Sequence, residues 1–328
     1  MTQYEVVLAS GAEHLQDRFS ELGYGVHCCG LNYDGRRMFP NADIYAIVPD
    51  IEELSGKRVV VVQSCTGSGP AEKERYTTSD RVVELLLLLD VLRRPTKVEE
   101  VGHKQYKETP IPPPARVEVV LTFQPFALQD KSFKTGEAAS GRWAMETIAA
   151  SCDKVWTVNP HAPSSLQWVK KLAQSGKYAE IDIISDLVDF AKRHFGYDNC
   201  LVVTPDEGGQ ERFSVAGFGK SRHNSYSVEL HGELVVGGCN VVVIDDLTKS
   251  GSTLLKASER LKAQGACGVG MAVVHVLPLA DKGEELLERL VEKSGGMIVT
   301  SNTVPTRIFG LKNPQLVYNV VDSIVKAV

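Results

Sequence analysis

Short apolar segments and longer amphipathic segments alternate along most of the chain. The apolar segments are rich in Val and Ile, which is typical of strands buried on both faces of a parallel sheet. They cover residues 4–9, 58–63, 117–122, 154–158, 200–204, 240–244, 269–276 and 297–300. The amphipathic segments predict helices over residues 12–22, 80–92, 140–151, 184–194, 252–264 and 283–294. Strands and helices in turn predict an α/β fold with mainly parallel sheets, which bind ligands beyond the carboxyl ends of their strands.

The order of these elements up to about residue 162 returns in the rest of the chain, so we expect two similar α/β domains. A length of 328 residues also predicts about two domains. Two stretches interrupt the alternation. Residues 97–116 hold four prolines among mixed charges, and residues 213–234 are rich in Gly, Ser and His. We expect an exposed loop or hairpin in the first stretch and a loop or flexible hairpin in the second.

Composition and charge exclude several classes of protein. Hydrophobic residues make up 43% of the chain and charged residues 23%, which excludes a disordered, collagen-like or coiled-coil protein. The net charge of −5 argues against nucleic acid as a partner, because binding to a phosphate backbone needs a basic surface. The sequence has no apolar run of about 18 residues and no signal-peptide pattern, so we expect no membrane span and a cytoplasmic location. The seven cysteines lack the spacing of a zinc site, and we expect reduced thiols.

The stretch 240–253 carries the most specific chemistry. An apolar strand ends in Asp245 and Asp246, and a helix begins near Ser252 after a loop of hydroxyl residues around Gly251. The N–H groups at a helix start favour an anion, and a glycine lets the backbone approach a phosphate closely. The two carboxylates would repel a bare phosphate, so they suit sugar hydroxyls or a magnesium ion. A phosphate at one end and a vicinal diol at the other describe ribose 5-phosphate.

This loop resembles the loop that binds 5-phosphoribosyl 1-diphosphate (PRPP) in phosphoribosyltransferases, with Ser252 in place of the usual second glycine. Further segments, in the same order along the chain, resemble the PRPP synthetases, or ribose-phosphate diphosphokinases. They are GKRVVVVQS (56–64), SDRVVELLLLLDVLRR (79–94), TFQPFALQDKSFKTGE (122–137), VNPH (158–161), TPDEGG (204–209), GKSR (219–222) and TSNTVP (300–305). Several segments in one order are far more specific than a single motif.

The resemblance implies two tandem phosphoribosyltransferase-like (Rossmann-like) domains. Residues 1–162 with 312–328 would form the nucleotide side, and residues 163–311 the ribose-phosphate side. The implied reaction is Mg²⁺-dependent transfer of a diphosphoryl group from ATP to the 1-hydroxyl of ribose 5-phosphate, which gives PRPP and AMP for nucleotide biosynthesis. The resemblance also implies a cytoplasmic homo-oligomer, a dimer or larger.

Site residues follow from the matching motifs. Catalysis would fall to Lys220 and Arg222, and the diphosphate would bind Asp206, Gly208 and Gly209. The ribose phosphate would bind Asp245, Asp246, Ser250, Gly251, Ser252 and Thr253. ATP would bind Phe39, Asn41, Asp43, Gln129 and Asp130. His161 and Asp206 would hold magnesium.

The nucleotide half departs from the family pattern. Asn41 and Asp43 stand where the family carries Asp and Glu, Leu128 replaces an arginine that contacts ATP, and Asn159 replaces an aspartate. The ribose-phosphate half is intact, which favours a divergent active synthetase. Two alternatives stay open: a homologue acting on another ribose-phosphate compound, and a non-catalytic regulatory partner of a synthetase. A phosphoribosyltransferase would leave the first 160 residues unexplained.

Overall fold

The computed structural model describes residues 4–67, 75–162, 164–205, 216–217, 219–222, 228–231, 235–279 and 284–328. The chain divides into two compact units, Met1–Ile181 and Asp182–Val328. None of the helices in these ranges is both long and apolar enough to cross a membrane. All seven cysteines are free thiols, as expected.

The first unit contains one parallel sheet and one separate hairpin. The strands of the unit are β1 (Glu5–Leu8), β2 (Val26–Cys28), β3 (Arg58–Ser64), β4 (Thr96–Gly102), β5 (Gln105–Pro110), β6 (Arg116–Phe123), β7 (Lys154–Val158) and β8 (Tyr178–Ile181). Its helices are α1 (Gln16–Glu21), α2 (Thr78–Arg93), α3 (Ser140–Ser151) and α4 (Gln167–Gln174), with 3₁₀ turns at Glu13–Leu15 and Ile51–Leu54. The sheet has the order β2-β1-β3-β6-β7-β8. The pair β4 and β5 forms a separate antiparallel hairpin, as the proline-rich stretch predicted.

The second unit repeats this plan. Its strands are β9 (Leu201–Thr204), β10 (Ala216–Gly217), β11 (Gly219–Arg222), β12 (Val228–His231), β13 (Asn240–Thr248), β14 (Gly268–Val276), β15 (Ile298–Ser301) and β16 (Val317–Tyr318). Its helices are α5 (Ile184–Phe195), α6 (Ser252–Ala263), α7 (Glu285–Ser294) and α8 (Val321–Ala327), with a π-helix at Ile308–Lys312 and a 3₁₀ turn at Pro314–Leu316. The parallel order β10-β9-β13-β14-β15-β16 matches the first sheet position by position, which confirms the predicted α/β duplication.

Burial on both faces explains the apolar strands. Residues 59–62 of β3 are all valines and are completely buried, and 241–244 of β13 are equally buried. The long helix α2 begins at a capping box, in which Thr77 accepts a hydrogen bond from the Asp80 amide and Asp80 accepts one from the Thr77 amide. Its leucine-rich face then packs into the core of the first unit.

The boundary between the units falls later than the predicted join at residue 162. Strand β8 pairs with β7, so the first unit extends to Ile181. The prediction placed residues 312–328 in the first unit, whereas the structure places them in the second. Two sets of contacts join the C-terminal segment to the second unit. Strand β16 pairs with β15, and Tyr318 and Ser323 donate hydrogen bonds to Asp186 of α5 over 3.1 and 2.6 Å. The bond from Ser323 is the main cause that lowers the pKa of Asp186.

Candidate functional site

The strand order of the second unit has its switch point at the carboxyl ends of β9 and β13. Strand β10, which follows β9 in sequence, lies on one side of β9, and β13 lies on the other side. Parallel sheets of this kind bind ligands at such a switch point. Asp245 and Asp246 lie here, 8% and 5% exposed. Strand β13 continues to Thr248, beyond the predicted end at residue 244, so both carboxylates belong to the strand.

The loop after β13 is organised by its own hydroxyl groups. The Gly251 amide donates to Thr248 Oγ1 over 2.9 Å, and Ser250 Oγ donates to Ser252 Oγ over 3.2 Å. Helix α6 then begins at Ser252; its N-cap residue Gly251 has no capping side chain, and the Ser252 amide donates to Ser250 Oγ over 3.4 Å. Because N–H groups at a helix start attract anions, this turn suits a phosphate group. Asp245 Oδ1 accepts a hydrogen bond from the Asp246 amide over 3.0 Å, which holds one carboxylate against the strand.

The backbone conformation at position 251 and the packing around it both require a glycine. Its φ is +68°, and an added Cβ would lie 2.2 Å from Cδ1 of the buried Leu290. We therefore expect Gly251→Ala to lower the free energy of unfolding by roughly 2–4 kcal/mol and to weaken binding of ribose 5-phosphate. Urea unfolding and titration calorimetry measure the two effects.

Gly295 provides the matched control for this substitution. Its φ is +62°, but an added Cβ meets nothing within 4 Å, so Gly295→Ala carries only the conformational cost of about 1–2 kcal/mol. Equal losses of stability in the two variants would contradict the packing role of Gly251.

The remaining predicted residues of the second unit are described only in part. Lys220 and Arg222 lie on β11, where the backbone pairs antiparallel with Leu230 and Val228 of β12. This pairing agrees with the expected hairpin. Asp206, Gly208 and Gly209 lie outside the described residues. The predicted roles of these five residues therefore stay predictions.

In the first unit, the residues predicted to bind ATP and magnesium lie in the loops after β6 and β7. These loops follow the carboxyl ends of two neighbouring parallel strands. The Gln129 side-chain oxygen accepts a hydrogen bond from Ser140 Oγ over 2.7 Å. The carbonyl of Asp130 accepts one from the indole nitrogen of Trp168 over 3.0 Å. His161, half-buried, follows the neighbouring strand β7. The structure thus brings the two loops to adjacent strand ends and anchors the Gln129–Asp130 turn on α3 and α4.

The segment from Phe39 to Asp43 forms a tight turn after β2. The Phe39 amide donates to the Asp43 carbonyl over 2.9 Å, and the Phe39 ring meets Tyr45 edge-on at 5.7 Å. Asn41 Nδ2 donates to Asp43 Oδ2 over 2.6 Å, and both side chains are exposed. An amide at position 41 can make this hydrogen bond, whereas a second carboxylate there would repel Asp43. The departure at Asn41 is therefore compatible with an ordered turn.

The donor chemistry fits magnesium held largely by a phosphate ligand. No group of three or more His, Cys, Asp or Glu side chains comes together as a metal site in the described part of the chain. Mg²⁺ typically takes one or two carboxylates and completes its shell with water and substrate phosphates. The adjacent carboxylates of Asp245 and Asp246 meet that requirement. His161 is a less typical ligand, because imidazole suits softer metals.

Sequence reasoning missed one polar cluster in the second unit. His275 lies in β14 with 1% of its surface exposed, and its Nδ1 is 2.8 Å from Thr303 Oγ1. The signal was available, because His275 is the single ionisable residue in the apolar run 269–276.

Comparisons with known proteins agree with this architecture. A family model described as "Phosphoribosyl transferase domain" matches residues 177–298. A ribose-phosphate pyrophosphokinase of Thermococcus kodakarensis is 25% identical over 312 residues, which cover 92% of this chain and 95% of the relative. One from Methanosarcina acetivorans is 29% identical over 247 residues, covering 72% and 73%.

A solved structure matches over almost the whole chain. It is the crystal structure of phosphoribosylpyrophosphate synthetase from Mycobacterium smegmatis, with a TM-score of 0.69 and 20% identity, covering 99% of this chain and 97% of that one. This match confirms the predicted fold of two phosphoribosyltransferase-type units. The chain is therefore similar over most of its length to ribose-phosphate pyrophosphokinases, and its residues 177–298 are similar to a phosphoribosyl transferase domain.

Proposed function

We propose that the chain is a Mg²⁺-dependent ribose-phosphate diphosphokinase that converts ATP and ribose 5-phosphate into AMP and PRPP. The observation that carries this proposal is the end of β13, where Asp245 and Asp246 precede Gly251 and the N-terminus of α6. The carboxylates can accept hydrogen bonds from the vicinal diol of ribose 5-phosphate, and the N–H groups can bind its phosphate. The names of the relatives support the same activity.

In this reaction the 1-hydroxyl oxygen of the sugar forms a bond to the β-phosphorus of ATP. The bond between that phosphorus and the oxygen bridging to the α-phosphorus breaks, AMP leaves with the bridging oxygen, and the proton of the hydroxyl passes to solvent water. Asp245 and Asp246 would orient the sugar, while Lys220 and Arg222 would stabilise charge that develops on the phosphoryl oxygens. Asp206, Gly208 and Gly209 would receive the transferred diphosphate.

ATP would bind the turn containing Phe39, Asn41 and Asp43 and the turn containing Gln129 and Asp130. Magnesium, when bound, would neutralise charge on the triphosphate. The resemblance implies His161 and Asp206 as its protein ligands, and the carboxylates of Asp245 and Asp246 are the ligands that the donor chemistry favours. We also propose that the chain is cytoplasmic and forms a homo-oligomer. Sedimentation analysis of the purified chain would test the oligomeric state.

AMP release tests the proposal directly. With Mg²⁺, ATP and ribose 5-phosphate, we expect AMP and a diphosphorylated sugar in equal amounts, and no AMP after chelation of the metal. No AMP above the level of a Lys220→Ala variant would reject the proposal. A phosphoribosyltransferase would instead consume PRPP together with a nucleobase.

A different ribose-phosphate acceptor is the second candidate, favoured by the altered nucleotide half. Its test is AMP release across a panel of ribose phosphates and nucleotides, in which another pair would outperform ATP and ribose 5-phosphate. A regulatory partner would release no AMP alone and would co-purify with an active synthetase.

Leu128 provides a test of the nucleotide contacts. Leu128 is 48% exposed. It stands where the resemblance to the PRPP synthetases implies an arginine that contacts ATP. We expect Leu128→Arg to lower the apparent KM for ATP about tenfold or more, because a charge-assisted hydrogen bond to phosphate contributes about 1.5–3 kcal/mol. Steady-state kinetics with varied ATP measures the effect.

Leu87, an exposed leucine on α2 of the same unit, is the matched control. Leu87→Arg adds the same charge and should leave the KM for ATP within about twofold, since an exposed charge at a distance is screened. An unchanged or raised KM in Leu128→Arg would show that the pocket binds ATP without a cation at this position.

A further inference from the structure

His275 is a buried imidazole beside the ribose-phosphate loop. The strand register pairs Leu247 with His275 and Asp245 with Val273, so His275 lies next to the end of β13 that carries the two carboxylates. Its neighbours Val274 and Val276 are completely buried. Burying a polar ring among such side chains is unfavourable unless the ring is hydrogen-bonded, so its partners determine what it does.

The hydroxyl groups around His275 Nδ1 favour one tautomer of the ring. Thr303 Oγ1 lies 2.8 Å from His275 Nδ1 and donates to the Val274 carbonyl over 3.1 Å. The Ser301 hydroxyl can donate to Thr303 Oγ1 over 3.0 Å or to the Val274 carbonyl over 2.8 Å. If the single threonine proton goes to the carbonyl, His275 Nδ1 must carry a hydrogen and donate it to Thr303. The opposite tautomer would make one hydrogen bond fewer within this cluster.

The cluster joins three strand ends to the phosphate loop. His275 and Thr303 tie the end of β14 to the turn after β15. Just beyond His275, the Leu277 amide donates to the Thr248 carbonyl at the end of β13 over 2.8 Å. Thr248 Oγ1 in turn accepts the Gly251 amide over 2.9 Å. The position of Gly251 therefore depends on the alignment of β13 with β14.

We propose that His275 is a positioning residue: through its hydrogen bond to Thr303 it aligns the ends of β13, β14 and β15 and thereby holds Gly251 in the conformation that binds the ribose 5-phosphate anion. This inference takes its substrate, ribose 5-phosphate, from the proposed function. His275 itself is buried and acts through Thr248 and Gly251.

Two variants remove the hydrogen bond from opposite ends. We expect His275→Leu and Thr303→Val each to raise the KM for ribose 5-phosphate about tenfold, with the KM for ATP changed by less than about twofold. The double variant should be no worse than the more severe single one, because both substitutions break one interaction. His275→Asn and Thr303→Ser keep a polar group in place and should recover most of the affinity.

Hydrogen exchange at the Gly251 amide tests the same proposal without any substrate. We expect exchange about tenfold faster in His275→Leu and Thr303→Val than in the parent chain. The matched control is His27→Leu, which removes another buried histidine, from β2 of the first unit. It should alter neither Gly251 exchange nor the KM for ribose 5-phosphate.

The outcomes separate this proposal from the proposed function. Faster Gly251 exchange in a chain that releases no AMP would support the positioning role and reject the diphosphokinase activity. Unchanged exchange in both variants would overturn the positioning role, as would faster exchange with an unchanged KM in an active enzyme. If His275→Leu does not fold, the Thr303→Val and Thr303→Ser pair decides.

Discussion

Lys220→Ala is expected to lower kcat for AMP release about 100- to 1,000-fold, with the KM values for ATP and ribose 5-phosphate changed by less than about threefold. Charge builds on the phosphoryl oxygens only as the diphosphoryl group moves, so a cation that meets this charge contributes mainly to the transition state. Initial rates with each substrate varied in turn separate kcat from KM.

Lys262 is a suitable control, because it is an exposed lysine in the last turn of α6, at the opposite end of that helix from Gly251. Lys262→Ala should keep kcat within about twofold, since exposed charges contribute little. If Lys220→Ala retains more than a tenth of the parent kcat, Lys220 does not supply the transition-state charge, and Arg222 becomes the residue to test.

Arg81→Met is expected to lower the free energy of unfolding by about 3–5 kcal/mol. Arg81 and Glu84 are each 1% exposed, with Arg81 Nη1 3.9 Å from Glu84 Oε2. Glu84 also accepts hydrogen bonds from Gln63 Nε2 over 2.9 Å and from the hydroxyl of Ser10. Removing the guanidinium would leave a buried carboxylate without its counter-charge, and urea unfolding of the full chain measures the cost.

Arg93→Met on the same helix α2 is the matched control. Arg93 pairs with Asp153 over 3.1 Å, but both side chains are largely exposed, so the loss should not exceed about 1 kcal/mol. The double variant Arg81→Met with Glu84→Leu should recover part of the stability, because it removes the uncompensated charge. Equal losses in Arg81→Met and Arg93→Met would show that the buried pair contributes no more than a surface pair.

The eight strands that were predicted (β1, β3, β6, β7, β9, β13, β14 and β15) are the inner strands of the two parallel sheets. In β3, β6 and β13 both faces are covered, and each strand contains an uninterrupted apolar run (59–62, 119–121 and 241–244) that is visible in one dimension. The short strands β2 and β16 have three and two residues, and no periodicity can emerge over that length. Their strand conformation comes from pairing with β1 and β15, which is a tertiary effect.

The same division holds in the candidate site. Asp245, Asp246 and Gly251 were recognisable because contiguous residues carry the whole motif. The hydrogen bond between His275 and Thr303 joins residues 28 positions apart, and no local pattern reports such a contact. Relatives at 25–29% identity support the family but leave the individual site residues as predictions.

Local periodicity and contiguous motifs were enough to predict the α/β class, the duplication, the candidate ribose-phosphate loop and the resemblance to PRPP synthetases. Three other features are visible only in the folded chain: the first unit extends to Ile181, the last helix belongs to the second unit, and His275 and Arg81 are buried in the core. These outcomes depend on which strands become neighbours and which polar groups find partners once water is excluded. That information arises from contacts between distant segments, which the order of residues along the chain does not display.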